Sequence, residues 1–392
     1  MKNILYISYD GIEEPLTKSQ VLPYLREFSK KGYKICLLTF DKEKSKDKSL
    51  IKSKLNNDGI DWNNLRYHKK PTLLAKVFDI LIGFLVSTII IRRKKINLVH
   101  ARSYVSCLIA YMLKKFSRIP YIFDIRGLLA DERVDSGDWL PSSAVYRLTK
   151  RIEKTLFKNA DFVVVLTKKG KEIIRQNFLC NAKKIEVIPT CVDLNRFTAS
   201  DKNERNGVFR LVYLGSIGTW YLLNEMLDFY ATLKKNVKNA QFVFINQKEN
   251  KEIIKSLGLE VLNGDDVEII KSDYESVGSV LKGCTASIFF IKDTFSKKAS
   301  LPTKFAESLA AGLPIVTNKG IGDLDDLILR YGIGVIVEDF NEKEYKKAIS
   351  GMLDILKDRN EFLKRKDELL KNFFSLESGV KRYITIYNNL AK

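Results

Sequence analysis

KKASLPTKFAESLAAGLP, residues 297–314, is the stretch that decides the fold. Its turn-prone residues 300–303 open a short helix, which a glycine and a proline end near residue 312. Lys304 and Glu307 lie three residues apart and therefore share one face of that helix. The free N–H groups of a helix start attract phosphate, Lys304 can neutralise its charge, and Glu307 can accept two ribose hydroxyls. The stretch predicts a site for a nucleoside diphosphate.

Two predicted buried strands flank this helix, Ser287–Ile291 before it and Pro314–Thr317 after it. An isolated Lys-x-x-Glu pair is usually surface decoration on a solvated helix. Here the helix follows a buried strand, and open α/β sheets bind their ligands in the crevice at the carboxyl ends of the strands. This position favours a ligand site over a decorated surface.

Apolar strands alternate with amphipathic helices along the whole chain, which predicts parallel sheets. The strands predicted in the first half are Ile4–Ile7, Lys34–Phe40, Leu98–His100, Tyr121–Phe123, Phe162–Leu166 and Glu186–Ile188. In the second half they are Phe209–Leu214, Gln241–Asn246, Val267–Ile270, Ser287–Ile291, Pro314–Thr317 and Gly334–Val337. The predicted helices include Gln20–Lys31, Arg147–Lys158, Lys343–Leu370 and Ser378–Leu390. At 392 residues the chain fits two domains of roughly 200 residues each, joined by the polar linker 193–207.

Composition excludes several classes of protein. Five scattered cysteines support neither a disulfide framework nor a zinc site. With two histidines and no clustered carboxylates, we expect no catalytic metal and no other cofactor. The chain enters its first strand without the pattern of a signal peptide, so we expect a cytoplasmic protein.

The positive charge is concentrated in the first half of the chain. Residues 1–200 contain 38 Lys and Arg against 20 Asp and Glu, a balance of +18 out of a total of +20. Such an excess points to a large anionic partner: a membrane surface, an anionic glycan or nucleic acid. Because no nucleic-acid-binding motif accompanies the charge, we expect no nucleic acid partner.

The most apolar segment, Val77–Ile91, lies between two basic clusters, Lys69-Lys70 and Arg92–Lys95. It is shorter than the roughly 20 apolar residues that span a bilayer. We interpret it as a buried helix packed on the first sheet, with an interfacial helix held at anionic lipid as the alternative.

The stretch from Ser300 to Pro314 resembles the signature of glycosyltransferase family 4, whose members are retaining enzymes with two Rossmann-like domains (GT-B type). Similarity to a bacterial polysaccharide subset of that family lies in Ser8–Leu25, Phe123–Gly127, Asp131–Arg133 and Tyr213–Tyr221. The resemblance implies an α/β fold with two parallel sheets facing across a cleft. It implies an acceptor domain over 1–195, a nucleotide-sugar donor domain over 208–375, and a C-terminal helix, 376–392, that packs on the first domain.

The resemblance also implies a set of donor-binding residues. They are Gly11, Gly215, Ser216, Ser300, Thr303, Lys304 and Glu307. Two departures concern the donor. Ala299 stands where the family usually has a second glutamate, and no basic residue follows Gly215 where an arginine and a lysine usually clamp the diphosphate. Lys304 would then carry more of the phosphate charge, helped by Lys297 or Lys298.

On the acceptor side, the loop 123–127 follows a strand and would face the cleft. The catalytic candidates are Asp124, Arg126 and Glu132, with Asp131 within reach, and the candidate cleft-lining residues are His100 and Arg102. One of the carboxylates would orient or deprotonate the acceptor hydroxyl. The sequence does not decide which carboxylate has this role. The alternative interpretation is that Asp124 and Arg126 form a plain surface ion pair.

Together these features predict a retaining, metal-independent glycosyltransferase of the hexosyltransferase type. It would transfer a sugar from a nucleotide-diphosphate sugar to a lipid-linked or polysaccharide acceptor, as a peripheral protein at the inner face of the cell membrane. There are two alternatives. A nucleotide-sugar 2-epimerase of the same fold would use the same nucleotide site, and a non-catalytic polyanion-binding protein would account for the positive charge.

Overall fold

The computed structural model describes residues 2–42, 47–70, 72–178, 180–197, 207–216, 218, 220–246, 267–273 and 275–390. These residues form two compact units, one of Met1–Pro189 with Leu376–Lys392 and one of Thr190–Ser375. Each unit has a parallel sheet with helices on its faces, so the prediction of two Rossmann-like α/β domains is confirmed. Most of the predicted linker, 198–206, lies outside the described residues.

The first unit contains a seven-stranded sheet in the order β3-β2-β1-β4-β5-β6-β7. Its strands are β1 Asn3–Ser8, β2 Lys34–Asp41, β3 Ile60–Arg66, β4 Leu98–Arg102, β5 Tyr121–Asp124, β6 Phe162–Val165 and β7 Ile185–Val187. All six predicted strands are present. Strand β3 was missed because its sequence, IDWNNLR, lacks the continuous apolar run of a buried parallel strand. The strand order reverses between β1 and β4, so the carboxyl ends of these two strands form the crevice of this sheet.

Eight helices of the first unit connect these strands in the described part of the chain. They are α1 Pro15–Gln20, α2 Leu22–Lys30, α3 Lys48–Asn57, α4 Thr72–Lys94, α5 Ser103–Ser117, α6 Leu129–Asp135, α7 Ala144–Asn159 and α8 Lys168–Phe178. Helix α4 is longer than predicted, and its apolar side chains are not all buried, so the expectation of a buried helix is wrong for one of its faces.

The second unit contains a six-stranded sheet in the order β10-β9-β8-β11-β12-β13. Its strands are β8 Phe209–Leu214, β9 Ala240–Asn246, β10 Val267–Lys271, β11 Ala286–Phe289, β12 Ile315–Asn318 and β13 Gly334–Val337. Every strand predicted in this half is present, with ends shifted by at most two residues. The order reverses between β8 and β11, which places the crevice of this sheet at the ends of those strands.

The described helices that follow in the chain are α9 Leu223–Asn236, α10 Val277–Lys282, α11 Thr303–Ala310, α12 Leu324–Tyr331, α13 Glu342–Lys357, α14 Arg359–Leu369 and α15 Leu376–Leu390. The single helix predicted over Lys343–Leu370 divides at Asp358, whose backbone (φ −101°, ψ 56°) leaves the helical region. A π-helical turn, Leu370–Phe374, follows α14.

The C-terminal helix α15 belongs to the first unit, where it packs on α2. Aromatic rings form this contact: Phe28 of α2 meets Tyr383 and Tyr387 of α15, with ring centroids 6.0 and 5.0 Å apart. Such large rings bury much apolar surface and fix the helix position. The last helix therefore covers part of the sheet formed at the start of the chain.

Candidate active site

The loop after β8 and the start of α11 lie at the crevice of the second sheet. Helix α11 begins at Thr303, and its N-cap residue, Pro302, provides no side-chain hydrogen bond. The Phe305 N–H donates to the Pro302 carbonyl, and the earlier N–H groups at the start of such a helix are available to an anion. The Ser300 hydroxyl, just before the helix, donates to the Ser296 carbonyl. The predicted helix is thus present and begins at Thr303, just after Ser300, and its binding of phosphate stays a prediction.

Lys304 is buried in this crevice, with 4% of its surface exposed. Its Nζ lies 4.3 Å from the ring centroid of Tyr213 and 3.6 Å from that of Tyr221, and it has no hydrogen-bond partner among the described residues. Burial holds the pKa of Lys304 well below its ordinary value, although Glu307 acts in the opposite direction. Cation–π contacts offset only part of the cost of burying an ammonium group. The arrangement suits an anion that arrives from solution.

Gly215 makes this position of Lys304 possible. Its φ of +146° is one that L side chains rarely adopt, and a Cβ there would lie 2.5 Å from Lys304 Nζ. The exposed Ser216 follows it, and the Ser216 carbonyl accepts a hydrogen bond from the Tyr213 hydroxyl at 2.8 Å. Ile217 and Thr219 of this loop lie outside the described residues. The structure therefore brings Gly215 close to Lys304 and bonds Ser216 to Tyr213, whose ring contacts the same lysine.

Glu307 follows Lys304 by one turn and is partly exposed. Burial raises its pKa to about 7, while Lys304 and Arg196 act to lower it. A carboxylate at this place can accept two hydroxyl hydrogens, the role predicted for it with ribose. Arg196 was not among the predicted site residues, because it lies in the segment interpreted as linker.

The two neighbouring lysines differ in environment. Lys297 is buried, and its Nζ lies 3.7 Å from the ring centroid of Trp220, whereas Lys298 is exposed. Ala299 is buried. Help from Lys297 or Lys298 with the phosphate stays a prediction. The aromatic residues around Lys297 and Lys304 were not predicted as site residues, because only the fold brings the loop after β8 against α11.

In the first unit, Asp124 is 1% exposed and forms the centre of a charged network. Its carboxylate accepts hydrogen bonds from Arg126 at 3.2 Å and from the Tyr383 hydroxyl at 3.2 Å, and Arg102 lies 3.8 Å away. Burial alone would raise the pKa of Asp124, but Arg126, His100 and Arg102 hold it below its ordinary value. The simple surface ion pair considered above is therefore wrong, because the aspartate is buried.

His100 completes this network. Its Nε2 lies 3.4 Å from Asp124, and its Nδ1 lies 2.7 Å from the Tyr387 hydroxyl. Burial lowers the pKa of the imidazole, although the adjacent Asp124 opposes that shift. The network links the ends of β4 and β5 to the C-terminal helix α15. These contacts give Asp124, Arg126, His100 and Arg102 a structural role, and their catalytic and cleft-lining roles stay predictions.

The two remaining acidic candidates begin helix α6. Asp131 is buried and accepts hydrogen bonds from Lys150 at 2.8 Å and from the Tyr146 hydroxyl at 3.1 Å. The partly exposed Glu132 folds back over Gly127, where a Cβ would lie 2.5 Å from its Oε1. Of these two carboxylates, Glu132 is the one with more access to solvent.

Gly11, after β1, lies against the end of β2. A Cβ at Gly11 would be 3.1 Å from Asp41 Oδ1, and the same oxygen accepts a hydrogen bond from the Ile12 N–H at 2.9 Å. A cavity of about 250 Å³ opens here, lined by residues 11–15 with Asp41 and Lys42. The second oxygen of Asp41 is buried without a partner among the described residues. Asp41 was not predicted as a site residue, because the apolar pattern of β2 ended at Phe40 and the strand extends one residue further.

Within the described ranges, no group of three or more His, Cys, Asp or Glu side chains could hold a metal ion. All five cysteines are buried thiols.

Comparison with known proteins agrees with this architecture. Residues 20–196 match the family model described as Glycosyltransferase Family 4, and residues 195–368 match the model described as Glycosyl transferases group 1. The chain is a GT-B protein built from these two glycosyltransferase domains. A curated relative is an uncharacterised glycosyltransferase of Methanocaldococcus jannaschii, 24% identical over 251 residues, and the match spans 62% of each chain.

Solved structures share the fold at low identity. Sucrose-phosphate synthase from Thermosynechococcus elongatus has a TM-score of 0.73 and 14% identity, with 100% of this chain and 99% of that one covered. A glycosyltransferase from Rickettsia africae has a TM-score of 0.72 and 15% identity over the same shares. The Anabaena protein HepE, solved in complex with UDP and glucose, has a TM-score of 0.72 and 12% identity, with both chains fully covered. These solved structures show that the chain shares their GT-B fold.

Asp124→Asn should destabilise the protein, because it leaves the partly exposed Arg126 and the buried Arg102 without their counter-charge. Removing one partner of a buried ion pair costs about 3–5 kcal/mol in the free energy of unfolding. Urea denaturation measures it, with Asp138→Asn at an exposed ion pair as the control. Wild-type stability in Asp124→Asn, together with lost turnover, would instead support a purely catalytic aspartate.

Lys304→Met should raise the free energy of unfolding while it weakens nucleoside diphosphate binding. Methionine fills the space between the two tyrosine rings without a buried charge, and replacing buried charges by apolar groups often stabilises by about 1–4 kcal/mol. Calorimetry should show a larger loss of affinity for the diphosphate than for the nucleoside. Lys298→Met is the matched control, and a destabilised Lys304→Met would contradict the interpretation.

The contribution of Glu307 to nucleotide binding should depend on pH. Because the pKa of Glu307 is about 7, its carboxylate is present above that value and protonates as the pH falls. The advantage of wild type over Glu307→Gln in nucleotide binding should therefore shrink by about tenfold per pH unit below 7. Because Glu307 also raises the pKa of Lys304, the ratio is measured with the bare nucleoside, which has no phosphate for Lys304 to bind. A ratio that stays constant between pH 5.5 and 8 would refute the ribose role.

Proposed function

We propose that the protein is a retaining glycosyltransferase that transfers a sugar from a nucleotide-diphosphate sugar to a lipid-linked bacterial surface glycan. The observation that carries this proposal is the buried, unpartnered ammonium group of Lys304 beneath Gly215, at the crevice of the second sheet. Glu307 on the same helix gives the site a group for ribose.

The donor class follows from this chemistry. A diphosphate would meet the first-turn N–H groups of α11 and the Lys304 side chain, and its negative charge would favour the charged form of that lysine. HepE, which shares the fold, was solved with UDP-glucose. A nucleotide sugar is the donor that fits both observations.

Stabilising the departing diphosphate would be the main catalytic task. As the bond between the sugar C1 and the phosphate oxygen breaks, negative charge grows on the diphosphate, where preorganised donors at α11 and Lys304 lower the barrier. The acceptor hydroxyl would form its new bond on the face that the diphosphate leaves, and its proton would pass to the departing phosphate or to a nearby carboxylate. This same-face route retains the configuration at C1 without a covalent enzyme intermediate. We propose that it needs no metal, since the lysine and the helix start supply the positive charge.

The acceptor assignment is supported by the first half of the chain, whose charge of +18 far exceeds what a nucleotide needs. A lipid-linked glycan at the cytoplasmic face of an anionic membrane suits this charge. The Gly11 cavity, with the unpartnered Asp41 oxygen beside it, would hold acceptor hydroxyls, while donor binding by Gly11 itself stays a prediction.

The donor is tested first by thermal shift with UDP-, GDP- and dTDP-sugars in the presence of EDTA. A matching donor should raise the melting temperature of the wild type, because ligand binding stabilises the folded state, and should do so much less for Lys304→Met. Transfer to lipid-linked acceptors with that donor should continue in EDTA, and NMR of the product should show the donor's anomeric configuration. A free epimerised nucleotide sugar would identify an epimerase instead, and a chain that binds no nucleotide would leave only polyanion binding.

A further inference from the structure

Helix α4 has its amphipathic faces reversed. Its inward stripe consists of small and polar residues at intervals of about one turn, Ala75, Asp79, Gly83 and Ser87, and ends at the buried Ile90. Its outward stripe consists of large apolar residues, Leu74, Phe78, Leu81, Leu85 and Ile89, which are 49% to 69% exposed. Helices of soluble proteins normally bury such a stripe against the core.

Two features fix the helix in this orientation. The buried Asp79 accepts hydrogen bonds from the Tyr9 hydroxyl at 2.7 Å and the His68 backbone N–H at 3.2 Å, and its other oxygen lies 2.6 Å from His68 Nδ1. At Gly83 a Cβ would lie 2.7 Å from Ile109 and 2.9 Å from Phe40. Rotation of α4 to bury its leucines would break the Asp79 bonds and move a larger residue into the space that Gly83 leaves. The apolar face therefore stays outside.

The apolar face continues onto the neighbouring helix α5. Phe116 of α5 is 76% exposed, and its ring centroid lies 5.3 Å from that of Phe84 in α4. Exposed basic residues border the face. They are Lys69 and Lys70 before α4, Arg92, Arg93, Lys94 and Lys95 at its end, and Lys115 and Arg118 beside Phe116. A contiguous apolar surface with a cationic rim matches the interface of an anionic bilayer, where chains and headgroups meet.

A membrane-spanning role for α4 is less compatible with these contacts. Residues 74–94 are long and apolar enough to cross a membrane, and 28% of the most apolar window is buried. A spanning α4 would have to leave α5 and would carry Asp79 into hydrocarbon without Tyr9 and His68, which is costly. Helix α4 retains all its observed contacts only when it lies along the surface.

We propose that α4 lies in the plane of an anionic bilayer surface, with its stripe from Leu74 to Ile89 and Phe116 inserted below the headgroups and the surrounding lysines and arginines among them. This proposal deepens and rests on the proposed function, since a lipid-linked acceptor would be met at that surface. The carboxyl edge of the sheet, with Tyr9 bonded to Asp79 of the helix, would then lie near the headgroups.

Flotation with vesicles of phosphatidylcholine and phosphatidylglycerol tests the stripe. Replacing Leu81 and Leu85 together by Gln should weaken vesicle binding by about a hundredfold, because each inserted leucine contributes about a tenfold factor. Leu50→Gln is the matched control. Leu50 is 52% exposed on α3, which right-handed crossovers place on the other face of the sheet. Equal binding of both variants, or binding that does not need phosphatidylglycerol, would overturn the proposal.

The depth of insertion separates an in-plane helix from the other outcomes. Since all five native cysteines are buried, a new cysteine at Leu74, Leu81 or Ile89 can be labelled selectively with an environment-sensitive fluorophore. Quenching by lipids brominated at different depths should place the three labels at the same shallow depth. A label at Leu81 much deeper than those at the ends would indicate a spanning helix. If lipids do not quench the labels, the wild-type protein has twice the monomer mass, and the Leu81 and Leu85 double variant is a monomer, then a second copy covers the stripe.

Failure of this proposal can be told from failure of the proposed function. Nucleotide binding by calorimetry does not involve α4, so the Leu81 and Leu85 double variant should bind the donor as the wild type does. Vesicle binding without any nucleotide binding would refute the proposed function alone. Nucleotide binding and sugar transfer by a wild-type protein that does not bind anionic vesicles would refute the membrane proposal alone.

Discussion

A buried ammonium group that lacks an anion is the constraint on which the second unit depends. Lys304 is held between two tyrosine rings, and this position requires that residue 215 have no side chain. The apolar strands β8 and β11, next to each other in the sheet, fix the loop and the helix that provide these parts. The interior of the unit thus supports a charge that is unfavourable until a ligand arrives. Stability given up in this way is typical of binding sites.

In the first unit, by contrast, the buried charge of Asp124 has partners within the protein. Asp124 is as inaccessible as Lys304, but arginine, histidine and tyrosine groups surround it and satisfy its oxygens. A buried charge with such partners stabilises the fold, whereas a buried charge without them favours binding of a ligand of opposite charge. The comparison explains why Asp124, chosen from sequence as a catalytic candidate, has contacts that anchor the C-terminal helix. Sequence position at the end of a strand could not separate these two situations.

The fold was largely predictable because parallel strands buried on both faces are continuous apolar runs. Strand β3, with its mixed polar sequence, escaped that pattern. The motif around Lys304 predicted the donor helix, but the tyrosine rings over Lys304 come from a different part of the chain and depend on tertiary packing. The same holds for α4. A helix apolar nearly all round does not reveal from sequence which face is inside, and here Asp79 and Gly83 decide it through contacts with distant residues.

The reversed helix and the acceptor side of the first unit are physically linked. Tyr9, which bonds to Asp79 of α4, lies two residues before Gly11, and Asp41 fixes the backbone of the Gly11 loop through Ile12. Tyr9 also packs on Phe40, next to Asp41 in the same strand. One hydrogen bond and one ring contact thus connect α4 to the strand ends beside the Gly11 cavity. A bilayer that binds the apolar stripe would therefore also hold these strand ends near its surface.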